Sequence, residues 1–293
     1  MSECYFLEND FLKVTLHPKG AELRSLVSKK TGLEYMWNAD PAWWSKTSPV
    51  LFPIVGTLRN NSYRYNGVEY TLPRHGFARD RFFLAEQTSP LAISFILRDD
   101  ADTRAQYPFS FSLTLFYQLD EDRLLLRYTV ENTGREQLWF SLGAHPAFAV
   151  PPQPLAGAAY TDHYLQFDRS ESLVRYKLEE GLIGTETELV LLPDKKLPLQ
   201  PALFREDALV LKHIPDHSIV LGSSQHAHGL EFAWEGFPFF GIWAPAGAPF
   251  VCLEPWYGIA DSVAHDQELT RKEGIESLPP GESFSREWSA RPF

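Results

Sequence analysis

The chain has 293 residues, 44% of them hydrophobic and 22% charged, a balance that supports one sizeable folded core. A formal net charge of -11 argues against non-specific binding to nucleic acid or to anionic membrane, although a small local basic pocket remains compatible with it. Cys4 and Cys252 are too few for a disulfide framework and form no CxxC pair for zinc, so two reduced thiols are expected and no metal site is. No apolar run approaches the roughly 20 residues of a membrane span. The start Met1-Ser2-Glu3-Cys4-Tyr5 lacks a secretory pattern, which makes the cytoplasm the expected compartment.

In chain order the sequence reads as short strands separated by turn chemistry. Phe11 to Leu16 shows partial alternation and is followed by turns at Pro18-Lys19-Gly20 and Lys30-Thr31-Gly32. Tyr63-Arg64-Tyr65, Asn66-Gly67 and Val68-Glu69-Tyr70 form the clearest hairpin signal, because Asn-Gly readily takes positive φ at both central turn positions. Strands are predicted over 110–119, 124–130 and 138–142, and then over 164–167, 208–212, 218–222, 230–234, 239–243 and 250–254. Sustained 3.6-residue periodicity is rare, so helices should be few and short. Pro151 to Ala159 reads as a surface loop, and no linker or repeat divides the chain. The expectation is an all-β protein of antiparallel sheets folded on each other as a single domain, 1–293.

Three segments carry candidate chemistry: Pro73-Arg74-His75-Gly76-Phe77, Gly143-Ala144-His145-Pro146-Ala147-Phe148 and Cys252-Leu253-Glu254-Pro255-Trp256. Glu254 stands in an otherwise apolar strand, where period-2 geometry puts Cys252, Glu254 and Trp256 on one face. Such a carboxylate is either buried with a partner or faces a cleft. Pro255 and Pro146 bias Glu254 and His145 toward extended backbone, which stiffens the main chain that aims them. Taken singly, each residue is as well explained by a rim glutamate or a satisfied core histidine. Together they suggest acid–base chemistry without choosing a reaction. His226-Ala227-His228 has two-ligand spacing but no evident third ligand, and reads as a solvated hairpin tip. His265-Asp266 reads as a loop.

At these segments, with Phe52-Pro53-Ile54-Val55-Gly56, Arg59-Asn60 and the tail Lys272-Glu273-Gly274-Ile275 to Leu278-Pro279-Pro280-Gly281-Glu282, the chain resembles the aldose 1-epimerase (galactose mutarotase-like) family, most nearly a bacterial LacX-like branch. The resemblance covers nearly the whole chain and implies an antiparallel β-supersandwich. It implies Glu254 as general base, His145 as general acid and His75 as a second active-site histidine. Arg59 would bind substrate, Asp207 would bind sugar hydroxyls, and Asn60 and Trp256 join them as substrate-binding candidates. The implied reaction interconverts the α and β anomers of a free hexose and needs no cofactor. The implied partner is a small sugar, with the chain a monomer or homodimer. His145 protonated and Glu254 ionised would favour each other and predict a bell-shaped pH dependence.

The sequence leaves three competing readings. Arg74, Arg79 and Arg81 around His75, with Lys46 approaching in space, suggest a hexose-phosphate mutarotase, unless they are solvated loop charges paired with Asp80 or others. A non-catalytic carbohydrate-binding protein of the same fold needs no acid–base pair. A glycoside hydrolase normally needs two carboxylates, and Asp207 is a poor second to Glu254.

Overall fold

The computed structural model describes residues 4–293. Two antiparallel sheets dominate it. The larger, eleven-stranded sheet runs in the order Tyr5–Glu8, Leu12–His17, Glu22–Ser28, Glu34–Met36, Ala147–Gln153, Phe250–Tyr257, Phe239–Trp243, Leu209–Lys212, Ser172–Glu179 and Leu182–Leu191, with Leu142–Gly143 pairing off this path with Phe250–Tyr257. The nine-stranded sheet centres on Ser283–Pro292, flanked by Arg123–Asn132 and Leu230–Glu235. The expected all-β supersandwich is the architecture found.

The two sheets bury their apolar faces against each other. Phe148 and Phe240 of the first sheet pack on Phe232 of the second at centroid distances of 5.6 and 6.4 Å. The Tyr117 hydroxyl donates to the carbonyl of Ala21 across the layers at 2.8 Å. Alternation explains the inner face: along Arg123–Asn132 every second residue from Leu124 to Asn132 is buried.

The expected Asn-Gly hairpin is present, with Tyr65 opposite Val68 and φ of 51° at Asn66 and 77° at Gly67. Among the described residues the one α-helix is Ala101–Gln106, held by a capping box in which Thr103 N donates to the Asp100 carboxylate at 2.7 Å. Several strands missing from the sequence reading form pairs, notably Ser172–Glu179 with Leu182–Leu191 and the long Ser283–Pro292. Their polar, weakly alternating sequences gave little periodic signal. Two expectations are corrected here. The segment expected to be a surface loop begins inside a strand, since Ala147–Gln153 runs through Pro151 and Pro152. The strand expected to end at Glu254 continues to Tyr257, with Pro255 opposite Phe240.

Candidate active site

Three neighbouring pieces of chain bring Glu254, His145 and His75 together. Glu254 sits mid-strand opposite Gly241, and the absence of a side chain there leaves room above the sheet. Next to Glu254, Trp256 lies flat over both Gly143 and Gly241. A Cβ at Gly241 would come within 2.4 Å of its ring, so only glycine permits this placement. His145 follows the Leu142–Gly143 strand, and its segment is tied to the glutamate strand by Ala144 N donating to Pro255 O at 3.0 Å and Leu253 N to Pro146 O at 3.2 Å. His75 comes from a loop with φ of 68°, a left-handed conformation that a non-glycine residue adopts at a cost. It is pinned by its own N–H to Gly56 O at 2.9 Å, and Gly56 N returns a bond to His75 Nδ1 at 3.1 Å.

The resulting geometry is tight. His145 Nε2 lies 3.2 Å from Glu254 Oε2, and the two imidazole rings meet edge-on at 5.8 Å. The His145 ring stacks on Trp44 at 4.8 Å, and Trp243 closes its other side at 5.7 Å. All three candidate residues are buried at the base of a cavity of about 520 Å³, within the range of small-molecule sites. His145 Nδ1 and Trp256 Nε1 are buried without a hydrogen-bond acceptor or donor in the protein, and the 3.2 Å approach of His145 Nε2 to Glu254 Oε2 is a close contact without hydrogen-bond alignment.

Burial biases the charge states of these groups. Loss of hydration pushes the Glu254 carboxyl well above the usual range, with Arg74 and the nearby Trp256 indole pulling weakly the other way. The same loss, with Arg74 and Arg79 adding to it, drives His145 down to about 3. His75 falls well below its ordinary value, by burial first and then by the neighbouring His145, Arg74 and Arg79. Burial therefore favours a neutral carboxylic acid beside a neutral imidazole. One proton moved from Glu254 to His145 would turn that pair into carboxylate and imidazolium with no change in proton count.

Two donors converge on the His75 ring, Gly56 N–H on Nδ1 at 3.1 Å and Arg74 Nε–H on Nε2 at 3.3 Å. A neutral imidazole offers one lone pair, so it accepts from one of them at a time.

The cavity wall holds Asp207 and Trp256, as expected from sequence, together with Arg74 and Arg79. Arg59 and Asn60 are corrected: neither lines the cavity. Arg59 is turned away because Asp261 Oδ2 accepts its backbone N–H at 2.9 Å and the His265 carbonyl accepts from its guanidinium at 2.8 Å. Asn60 is exposed beside Gln267. Arg81 also leaves the cluster, pairing with Asp100 and Asp102. Trp44 and Trp243 were missed, because a tryptophan's role in a cleft has no local sequence signature.

Cys4 and Cys252 are both free thiols. Cys252, His145 and Glu254 offer donor atoms within 4.8 Å of one another, which is the one such trio among the described residues. Cys252 is fully buried, and desolvation together with the neighbouring Glu254 pushes its thiol well up, which opposes the thiolate a metal would require. Away from the cavity, His226 is not solvated as expected: its Nε2 lies 3.1 Å from His163 Nε2.

The fold is that of galactose mutarotase-like proteins. The aldose 1-epimerase family model matches residues 3–274, and the chain belongs to that family. It is similar to the plasmid-encoded protein LacX of Lactococcus lactis subsp. lactis, with 32% identity over 284 residues covering 94% of each chain. Among solved structures it is similar to a galactose mutarotase related enzyme from Lactobacillus acidophilus, with 34% identity, a TM-score of 0.94, and 99% of this chain and 97% of that chain covered. A galactose mutarotase-like protein from Lactobacillus casei superposes with a TM-score of 0.90 at 28% identity, covering 99% of this chain and 100% of that one. No helix of the described residues is long and apolar enough to cross a membrane.

Proposed function

We propose that this chain interconverts the α and β anomers of an aldose by acid–base ring opening and closure. The observation that carries the reading is the buried contact of 3.2 Å between His145 Nε2 and Glu254 Oε2, with His75 beside it, at the floor of a cavity that suits one sugar.

Glu254 as carboxylate takes the proton from O1. The C1–O5 bond breaks, its electron pair goes to O5, and His145 as imidazolium gives O5 a proton. The open-chain aldehyde turns about C1–C2. His145 then takes back the O5 proton as O5 attacks the other face of C1, and Glu254 returns a proton to O1. Atoms and charges balance within the pair. The charged form that the chemistry uses arises from the resting neutral pair by one internal proton transfer, aided when sugar hydroxyls resolvate the site. His75, edge-on to His145 at 5.8 Å, is the second active-site histidine of this reading. Trp243 and Trp256 line the cavity and supply apolar surface for the C–H side of a pyranose, while Trp44 backs the His145 ring.

The test is anomer exchange measured by polarimetry or by exchange NMR on freshly dissolved single anomers. Faster equilibration that is lost in both Glu254→Gln and His145→Asn supports the reading. Saturable sugar binding without faster exchange would instead indicate a binding protein of the same fold.

A further inference from the structure

His226-Ala227-His228 has the spacing of two metal ligands, and the fold supplies the third imidazole that the sequence did not show. His163 opens the strand His163–Phe167 and stands opposite Ser223, the last residue of Ser218–Ser223. The loop that follows Ser223 carries His226 and His228. It is tied back to the start of the neighbouring strand by Ser224 N, which donates to the Asp162 carbonyl at 2.9 Å. His226 Nε2 thereby comes to 3.1 Å from His163 Nε2, and the His226 and His228 rings lie 5.9 Å apart. None of these three histidines lines the sugar-sized cavity.

The proton positions in this cluster are fixed from one end. A carbonyl oxygen can only accept, so the 2.9 Å contact of His163 Nδ1 with Ala159 O puts a ring proton on Nδ1. In the neutral ring Nε2 is then a bare lone pair, and it points at His226. His163 is 2% exposed, and loss of hydration lowers both His163 and His226, which keeps the two rings neutral at neutral pH. His226 Nδ1 is buried without a partner. A proton on His226 Nε2 makes an ordinary hydrogen bond between the imidazoles. A proton on His226 Nδ1 instead turns two lone pairs on one point.

That point has the dimensions of a metal position. With metal–nitrogen bonds of about 2.05 Å, nitrogens 3.1 Å apart subtend about 98° at the ion, between square-planar and tetrahedral. Two imidazoles on a tetrahedral ion have ring centroids about 5 Å apart. His163 and His226 stand at 5.1 Å, and His228 at 5.9 Å from His226 has about 1 Å to close. An Nδ1–H held by a main-chain carbonyl is the arrangement that orients a ligating histidine. The charge of Asp162 acts on both rings, and its Oδ2 is fixed by Ala159 N at 2.7 Å, so a counter-charge is in place.

We propose that His163, His226 and His228 bind one borderline divalent cation of the zinc, nickel or copper(II) class, with solvent in the remaining position. Imidazole nitrogen suits these ions, whereas magnesium and calcium require oxygen. The ion clamps the loop after Ser223 to the start of the strand His163–Phe167. The site is separate from the catalytic pair and does not rest on the anomer-interconversion reading.

The experiment uses the full chain, stripped with a chelator that is then removed. Calorimetric titration with zinc chloride at pH 7.5 is expected to show one equivalent bound with a Kd on the order of 1 μM. Zinc at about a hundredfold above that Kd should raise the Tm, and magnesium should leave it unchanged. Cobalt(II) should give the intense visible bands of a tetrahedral site. His226→Gln should weaken zinc at least about tenfold and His228→Gln several-fold, while Cys252→Ser, in the cavity, leaves zinc binding intact. Where a variant does not fold, long-range proton–nitrogen spectra of the wild type carry the test: zinc should shift His163 Nε2 and leave Nδ1 protonated. No zinc binding tighter than about 100 μM would reduce the cluster to a hydrogen bond between imidazoles and overturn the proposal. Binding that survives His226→Gln and is lost in Cys252→Ser would put the ion in the cavity and overturn it equally.

Discussion

Replacing Glu254 by Gln separates the catalytic from the structural meaning of the buried pair. The change keeps the shape of a side chain that is 1% exposed and removes its proton chemistry. Loss of a positioned proton acceptor slows exchange by about 10²–10⁴-fold, roughly 3–5 kcal/mol of barrier. Stability should move the other way. In the folded chain the carboxyl is held well above its ordinary range by burial, while in the unfolded chain it ionises near its normal value of about 4.3. Between those two values the unfolded state binds fewer protons than the native state, so wild-type stability falls as pH rises, by up to about 1.4 kcal/mol per pH unit. Glutamine has no such slope. The Tm of Glu254→Gln relative to wild type should therefore climb from pH 5 to pH 8, by a few °C per unit at this size. His145 is depressed to about 3 and destabilises toward acid instead, and this loss, below about pH 6.5, is common to both proteins to first order. Circular-dichroism melts across that pH range, beside exchange rates, provide the assay. A Tm difference that stays flat or shrinks with pH would show the carboxylate already ionised in the native state and refute the burial argument.

Three further outcomes are expected. Because the His145–Glu254 pair keeps one proton over a wide interval, kcat should be level across neutral pH, with its acid limb low because His145 is depressed and its alkaline limb high because Glu254 is raised; a narrow bell near pH 6.5 contradicts this. Gly241→Ala drives a methyl into the Trp256 ring and should lower stability by about 1–3 kcal/mol and raise KM several-fold, read from melts and from the concentration dependence of exchange; an unchanged KM removes Trp256 from sugar contact. Lys272→Met strands the buried Asp261, which Lys272 Nζ meets at 2.8 Å, and should destabilise by about 3–5 kcal/mol. Adding Asp261→Asn should recover part of that loss in a double-mutant cycle, and full additivity would show the two groups to be uncoupled.

Asp261 also bears on Arg59, which the family resemblance implied as substrate-binding and which does not line the cavity. Asp261, some 200 residues later, holds the Arg59 backbone and turns the side chain to the His265 carbonyl. A preference set by so distant a partner leaves no trace in the local sequence. The arginines of the His75 turn failed in the opposite sense. As a string, Arg74 to Arg81 looks like a charged loop, and only the fold shows that Arg74 and Arg79 face the cavity while Arg81 faces Asp100 and Asp102.

What the sequence determined by itself was local. Alternation, Asn-Gly and the proline and glycine punctuation specify strands and turns, because strand pleat and φ preference act within a few residues. The same short range puts Glu254 and Trp256 on one face of their strand. The tertiary structure alone decided which distant groups share the cavity, that Gly143 and Gly241 leave space for Trp256, and that burial disfavours the charged forms of Glu254 and His145. Those properties depend on packing and on the removal of water, which come from many residues at once and are written at no single position in the chain.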